Sequence, residues 1–340
     1  MIIRAKSPLR IGLAGGGTDV SPYCDLYGGC VLNACITMYA YATIEPRNDS
    51  KIELISADRN EYQLLDSATE LQLDDSMQLL KGVYNRVIKD FVKKPLSFTL
   101  TTYVDAPPGS GLGSSSTLVV AILKAFQEWQ NLPLSEYDLA QLAWDIERND
   151  LKMLGGKQDQ YATAFGGFNF IEFTGSNVLV NPLRIRQEYI NELEFNIILY
   201  YTGISRLSSE IIQAQVDNTK NKNVFAVNAM HKLKEQSFEM KEALLKGELN
   251  RIGTILDESW KNKKNMSSII SNPIIDNIYE SALKAGASGG KISGAGGGGF
   301  FMFYCPKNSR YNVIKKLSEF GGEFRRFRFT DLGAESWIIK

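Results

Sequence analysis

The chain has 340 residues, 44 % of them apolar and 22 % charged, and its formal net charge is zero. That is enough for two domains with a sizeable core, and too balanced for a broad nucleic-acid or membrane surface. Cys24, Cys30, Cys35 and Cys305 have neither the density of a disulfide framework nor a zinc spacing, so they are expected as buried free thiols in a cytoplasmic protein. The only histidine, His231, argues against a Ser–His triad and a multi-histidine metal centre, and is expected on a charged helical surface. No apolar run reaches membrane-spanning length, and the start of the chain carries no signal-peptide core.

Taken in order, residues 2–6 read as a strand that Ser7-Pro8 interrupts, and 10–14 resume it before the turn Gly15-Gly16-Gly17-Thr18-Asp19. Residues 30–36 and 38–46 read as two strands, and 51–56 with 61–65 as a further pair. A helical stripe covers 76–92. Phe98, Leu100, Thr102 and Val104 then alternate as a half-buried strand, and 117–129 form a helix. Ser135 and Asp138 form a capping box for a helix over 134–148, with Glu147 near its end. Gly155-Gly156-Lys157-Gln158-Asp159-Gln160 opens a short helix, and strands follow at 168–173, 178–185 and 195–201. Helices are expected at 206–218, 222–246, 248–263 and 273–285. A glycine cluster over 289–299 precedes a strand at 300–304, a helix at 309–320 and strands at 323–329 and 335–339. The boundary between halves is placed at 185/186.

The stretch joining the half-buried strand to its helix is Pro108-Gly109-Ser110-Gly111-Leu112-Gly113-Ser114-Ser115. Glycines there permit a tight turn and close approach, and the helix start offers open N–H groups, so an anion site for phosphate is one reading. The alternative is an ordinary loop with Ser114 or Ser115 as the N-cap. Neither the Gly-Lys-Ser/Thr spacing of a P-loop nor the third glycine of a dinucleotide fingerprint is present.

Pro107 to Ser116 closely resembles the second motif of the GHMP small-molecule kinase superfamily. Ser7 to Asp19 resembles the first motif and Lys291 to Phe300 the third, in the family's order. The resemblance implies an α+β fold of two halves, an N-terminal ATP-binding domain like ribosomal protein S5 domain 2 (1–185) and a ferredoxin-like C-terminal domain (186–340). The active site would lie in the cleft between them, with the third motif packed on the phosphate loop. It implies ATP and Mg²⁺, with residues 108–115 cradling the triphosphate, and Ser115 with Glu147 as the metal ligands; on its own, Glu147 reads equally as a solvated helix-end carboxylate. It implies Asp159 as the base that accepts or orients the acceptor's proton, and Arg10 as its cationic support.

Gly15-Gly16-Gly17 stand where galactokinases and mevalonate kinases carry Gly-Glu-His, and the retained Thr18-Asp19 suggests a sugar held by Gly17, Thr18 and Asp19, since an aspartate can accept two hydroxyl hydrogen bonds. Together with residues 155–161 and Glu258 to Lys264, this resembles the sugar 1-kinases that act on heptose 7-phosphate and L-fucose. The implied reaction phosphorylates the anomeric hydroxyl of D-glycero-D-manno-heptose 7-phosphate to the 1,7-bisphosphate, towards GDP-heptose and capsule. A sugar phosphate needs a second anion site, for which Arg206, Lys261 and Lys264 are candidates; Lys157 reads either as a phosphate contact or as a solvated turn lysine. The expected partners are ATP and a small sugar phosphate, without nucleic acid or membrane, and a homodimer is left open.

Overall fold

The computed structural model describes residues 1–74, 76–175, 177–204 and 208–340. The strands are β1 (Ile2–Ala14), β2 (Gly29–Pro46), β3 (Lys51–Ser56), β4 (Glu61–Asp66), β5 (Phe98–Val104), β6 (Phe168–Thr174), β7 (Asn177–Pro182), β8 (Ile197–Tyr201), β9 (Gly289–Ile292), β10 (Phe300–Tyr304), β11 (Glu323–Arg325) and β12 (Glu335–Ile339). The helices are α1 (Tyr23–Tyr27), α2 (Gln78–Val87), α3 (Ser114–Gln130), α4 (Glu136–Asp145), α5 (Gln158–Phe165), α6 (Gln187–Asn196), α7 (Ser208–Lys220), α8 (Val224–Lys246), α9 (Asn250–Lys264), α10 (Pro273–Lys284) and α11 (Arg310–Leu317).

Among the described residues the strands form two sheets. One runs β12-β1-β2-β5-β3-β4, with β6 and β7 branching from β2; the other runs β11-β8-β10-β9. Helix α3 is the axis of the first half. It packs on β1, β2, α2, α4 and α5, and its run from Ser116 to Leu123 is buried on every face. The near-continuous apolar sequence there suits a helix enclosed all round. A second apolar core around Trp260, Tyr279, Phe301 and Phe303 fills the other half.

Several expectations change for physical reasons. Pro8 does not break β1. It lies beyond Lys6, the last residue paired to β12, and at a register shift against β2, so its missing N–H costs no ladder bond. The two strands expected over 30–46 are one bent strand whose first half pairs with β6 and second half with β5. Phe195, read as strand, ends helix α6, where Asn196 donates to Glu192 Oε1 at 2.8 Å. The last strand, assigned by sequence to the second half, is the edge strand of the first sheet: Ile2 pairs with Ile339 and Lys6 with Glu335. His231 is half-buried, and its Nδ1 lies 2.8 Å from the Tyr23 hydroxyl, joining α8 to α1. The four cysteines are free and buried. No helix among the described residues is long and apolar enough to cross a membrane.

Candidate active site

The loop between β5 and α3 settles one alternative. The N-cap of α3 is Gly113, in the left-handed region at φ 78°, and no side chain caps the helix. Neither Ser114 nor Ser115 is an N-cap, so the first-turn N–H groups are left for a ligand. Pro108, Gly109, Gly111, Gly113, Ser114 and Ser115 line a cavity of about 610 Å³. Ser110 and Leu112 do not; they are fully buried beneath it, where the Ser110 carbonyl accepts from Phe300 N at 2.9 Å and the Leu112 carbonyl from Arg10 N at 3.2 Å. The third motif packs directly on this loop. A Cβ on Gly111 would stand 2.2 Å from Ser293 O, and one on Gly294 2.7 Å from the Gly111 Cα, so two backbones meet where no side chain fits.

Arg10 lies under the loop, 3 % exposed. Its Nε donates to Asp159 Oδ1 at 2.7 Å, its Nη2 approaches the same oxygen at 2.5 Å, and its Nη1 donates to Gly111 O at 2.6 Å. Both contacts to Asp159 fall on Oδ1. Oδ2 turns towards Gly113, 3.2 Å from where a Cβ on that glycine would stand. The first and second motifs and the start of α5 are thereby tied at one point.

Asp19 is 1 % exposed. Its Oδ2 accepts from Lys157 N (3.0 Å) and Gln158 N (3.1 Å), and its Oδ1 from Gln158 Nε2 (3.0 Å) and Gly17 N (3.2 Å). The expectation that it offers both oxygens to a sugar thus meets a carboxylate whose acceptor positions the protein already fills. Burial, and then the nearby Asp159 charge, hold its pKa above the usual carboxylate range. Gly156 makes this approach possible, since a Cβ there would fall 1.9 Å from Asp19 Oδ2.

Two of the candidate substrate contacts, Thr18 and Lys157, do not line the cavity. Thr18 is fully buried outside the cavity, with its hydroxyl oxygen 2.8 Å from Gly15 O and 2.9 Å from Cys30 O and accepting from Cys30 N at 3.1 Å; it locks the first glycine turn. The Lys157 ammonium is also turned out of the cavity, towards Gly175 O at 3.3 Å and over the Trp144 ring. Arg206 lies outside the described residues. Lys261 is paired with Asp257 and Lys264 with Asp276. The lysine of that run that lines the cavity is Lys263, 3 % exposed, with Nζ on Ile292 O at 3.4 Å and on Gly294 O. A sequence signal for it exists: Ile252, Leu256, Trp260 and Lys263 share one buried stripe of α9.

Glu147 is 1 % exposed, on a wide helical turn closed by Leu151 N donating to Ile146 O at 2.9 Å. Such one-turn widenings recur at functional sites. Its Oε1 accepts from Ser116 Oγ at 3.0 Å, its Oε2 is bonded to Gln160 Nε2, and Arg148 lies 3.7 Å away. Burial chiefly raises its pKa. Ser116, one residue beyond the expected Ser115, is the serine in contact with it, and Gln160 was not foreseen. Ser115, Ser116 and Glu147 all line the cavity and offer hard oxygens. Among the described residues no group of three or more His, Cys, Asp or Glu could hold an ion.

An uncapped helix start set against an arginine–aspartate pair suits phosphoryl transfer to a small molecule, and the chain belongs to the GHMP kinases. Residues 78–167 match the GHMP kinases N terminal domain and 240–323 the GHMP kinases C terminal. The chain is 48 % identical over 338 residues to the D-glycero-alpha-D-manno-heptose 7-phosphate kinase of Campylobacter jejuni, covering 99 % of each. A solved D-glycero-D-manno-heptose 1-phosphate kinase from Bacteroides thetaiotaomicron superposes with a TM-score of 0.85 at 45 % identity, covering 99 % of each chain. A putative sugar kinase from Campylobacter jejuni does so with a TM-score of 0.83 at 47 % identity, covering 99 % of this chain and 98 % of that one.

Proposed function

We propose that this kinase transfers the γ-phosphoryl group of ATP to the anomeric hydroxyl of D-glycero-D-manno-heptose 7-phosphate, giving the 1,7-bisphosphate and ADP. The observation that carries the chemistry is the Arg10–Asp159 pair set against Gly113 of the phosphate loop. The full-length likeness to the Campylobacter enzyme supports the choice of sugar. The N–H groups at the start of α3 receive the phosphates. Arg10 holds Asp159 Oδ1, which leaves Oδ2 to accept the proton of the anomeric hydroxyl while the hydroxyl oxygen attacks the γ-phosphorus and the bond from that phosphorus to the ADP oxygen breaks. Arg10 stays as a fixed positive charge beside the group in transit. Asp19 reaches a sugar hydroxyl by exchanging the Gln158 amide, the one of its donors that is a side chain.

The donor set suits Mg²⁺, which takes few protein oxygens and keeps phosphates and waters. Glu147, with Ser115 or its neighbour Ser116, would hold the ion, which when bound neutralises phosphate charge. The test is purified protein with ATP, Mg²⁺ and heptose 7-phosphate, followed by ³¹P NMR. A new anomeric phosphate signal is expected. Unchanged heptose 7-phosphate beside rapid phosphorylation of free L-fucose would reject the acceptor.

A further inference from the structure

Positive charge gathers where the third glycine motif meets the cavity. Lys263 and Lys291 are each 3 % exposed, and Arg10 is the third cation of the group. Arg10 has Asp159 as its partner. Among the described residues no carboxylate lies within ion-pair distance of Lys263; its hydrogen bonds go to the carbonyls of Ile292 and Gly294. The acid that acts on it is Asp19, whose oxygens are taken by backbone and amide donors. Burial, Lys291 and Arg10 all push the Lys263 pKa well below the usual lysine range, and burial with Arg10 brings Lys291 to about 8.

A buried ammonium with two cationic neighbours and no paired acid is costly unless an anion joins it. Lys263 lines the same cavity as Gly111, Gly294 and Ala295, so the anion can reach it from the ligand side. Two carbonyls hold its stem end in place and leave the third N–H of the ammonium unassigned.

We propose that Lys263 is a phosphate-contacting residue of this kinase, its ammonium taking an oxygen of a phosphoryl group that the ligands bring into the cavity. This rests on the reading of the chain as an ATP-dependent kinase of a sugar phosphate. The phosphoryl group has two sources, the γ-position of the nucleotide and the phosphate already on the sugar, and one experiment separates them. Lys263→Met is compared with the unaltered protein using D-glycero-D-manno-heptose 7-phosphate and the same heptose without phosphate. The variant is expected to lose roughly 10- to 100-fold in kcat/KM, the scale of a charged hydrogen bond, with Lys263→Arg recovering part of it. A rise in KM confined to the phosphorylated sugar assigns Lys263 to the sugar's own phosphate. An equal fall in kcat with both sugars assigns it to the group in transit. Values within about twofold of the unaltered protein for both sugars overturn the proposal.

A second measurement avoids any folding defect of the variants. Acetylation of Lys263 in the unaltered protein, mapped by mass spectrometry, is expected to slow at saturating heptose 7-phosphate or with a non-hydrolysable ATP analogue. No slowing with either also overturns the proposal. If the unaltered protein leaves heptose 7-phosphate unchanged, the acceptor reading has failed on its own; Lys263 is then judged by the variant's affinity for the ATP analogue and by that protection, and loss of neither overturns it.

Discussion

Asp159 and Glu147 are both acids in one cavity, but their surroundings differ. Asp159 has a guanidinium on one oxygen and a glycine loop beside the other. Asp159→Asn keeps the shape and removes the charged acceptor, so kcat is expected to fall by about 10²- to 10⁴-fold with KM for ATP little changed, while Tm drops because the buried Arg10 loses its counter-charge. Steady-state kinetics and a melting curve check it, and full turnover would remove Asp159 from the mechanism. Glu147 is held above its ordinary pKa of 4.5, mainly by burial. The unfolded chain therefore releases this proton at lower pH than the folded one, and above that point the native state binds more protons. The contribution of Glu147 to stability thus falls as pH rises. Glu147→Gln removes the charge while an amide can still meet Ser116, so Tm is expected to exceed that of the unaltered protein at neutral pH. The gain should vanish below about pH 4, near the reference carboxyl value, while Mg²⁺-dependent turnover is lost. A Tm below the unaltered protein's across pH 4–8 would refute this. At this scale the sequence shows which residue types matter but not which neighbour faces in. Three lysines lie within four positions at 261–264, and only the apolar stripe of α9 singles out Lys263. Thr18 sits in a motif yet serves the backbone, because a hydroxyl that follows a run of glycines can close a turn as readily as meet a ligand.

The helix with an open start is the element that makes the site. Ser114 is the first residue of α3, and no side chain caps that end. Ser114→Asp places a carboxylate where the helix dipole favours it, worth about 0.3–1 kcal/mol in stability, and where the nucleotide phosphates are proposed to sit. Thermal stability is expected to rise slightly while KM for ATP increases at least roughly tenfold, the size of one charged hydrogen bond turned against the ligand. Unchanged KM would place the triphosphate elsewhere. Gly156 tests the neighbouring turn. Gly156→Ala drives a methyl into Asp19 Oδ2, a carboxylate fixed by its own hydrogen bonds. A loss of about 1–3 kcal/mol is expected, the usual cost of overpacking, read by urea denaturation; unaltered stability would mean that the Asp19 network yields freely. Helices and strands with a clear period, such as α3 and β5, are legible because burial enforces the pattern. Pro8 misleads because a proline's effect on a strand depends on whether a partner needs its N–H, and that partner, β12, lies at the other end of the chain.

Across the whole molecule, the return of β12 to the first sheet means that the N-terminal half is not a contiguous piece of sequence. Residues 335–339 cover the edge of β1 over Ile2 to Lys6, with Lys6 and Glu335 paired at 3.0 Å and Ser336 bonded to Glu128 of α3 at 2.8 Å. A division at residue 185 follows the composition shift, which carries no record of long-range strand pairing. The same strand β1 continues to Arg10, so the chain end braces the element that holds the Arg10–Asp159 pair. Deleting residues 334–340 uncovers a row of unpaired backbone groups on β1, an edge open to association. The truncated chain is expected to lose about 2–4 kcal/mol, from the ladder hydrogen bonds to β1 and the Lys6 and Ser336 contacts. It should also elute as larger species at high concentration. The isolated fragment 1–185 should show the same edge and fail to reach the urea midpoint of the full chain. Size-exclusion chromatography and urea denaturation of the two shortened chains measure this. A fragment that unfolds cooperatively at the full-length midpoint would show that the first half closes its sheet without its last strand.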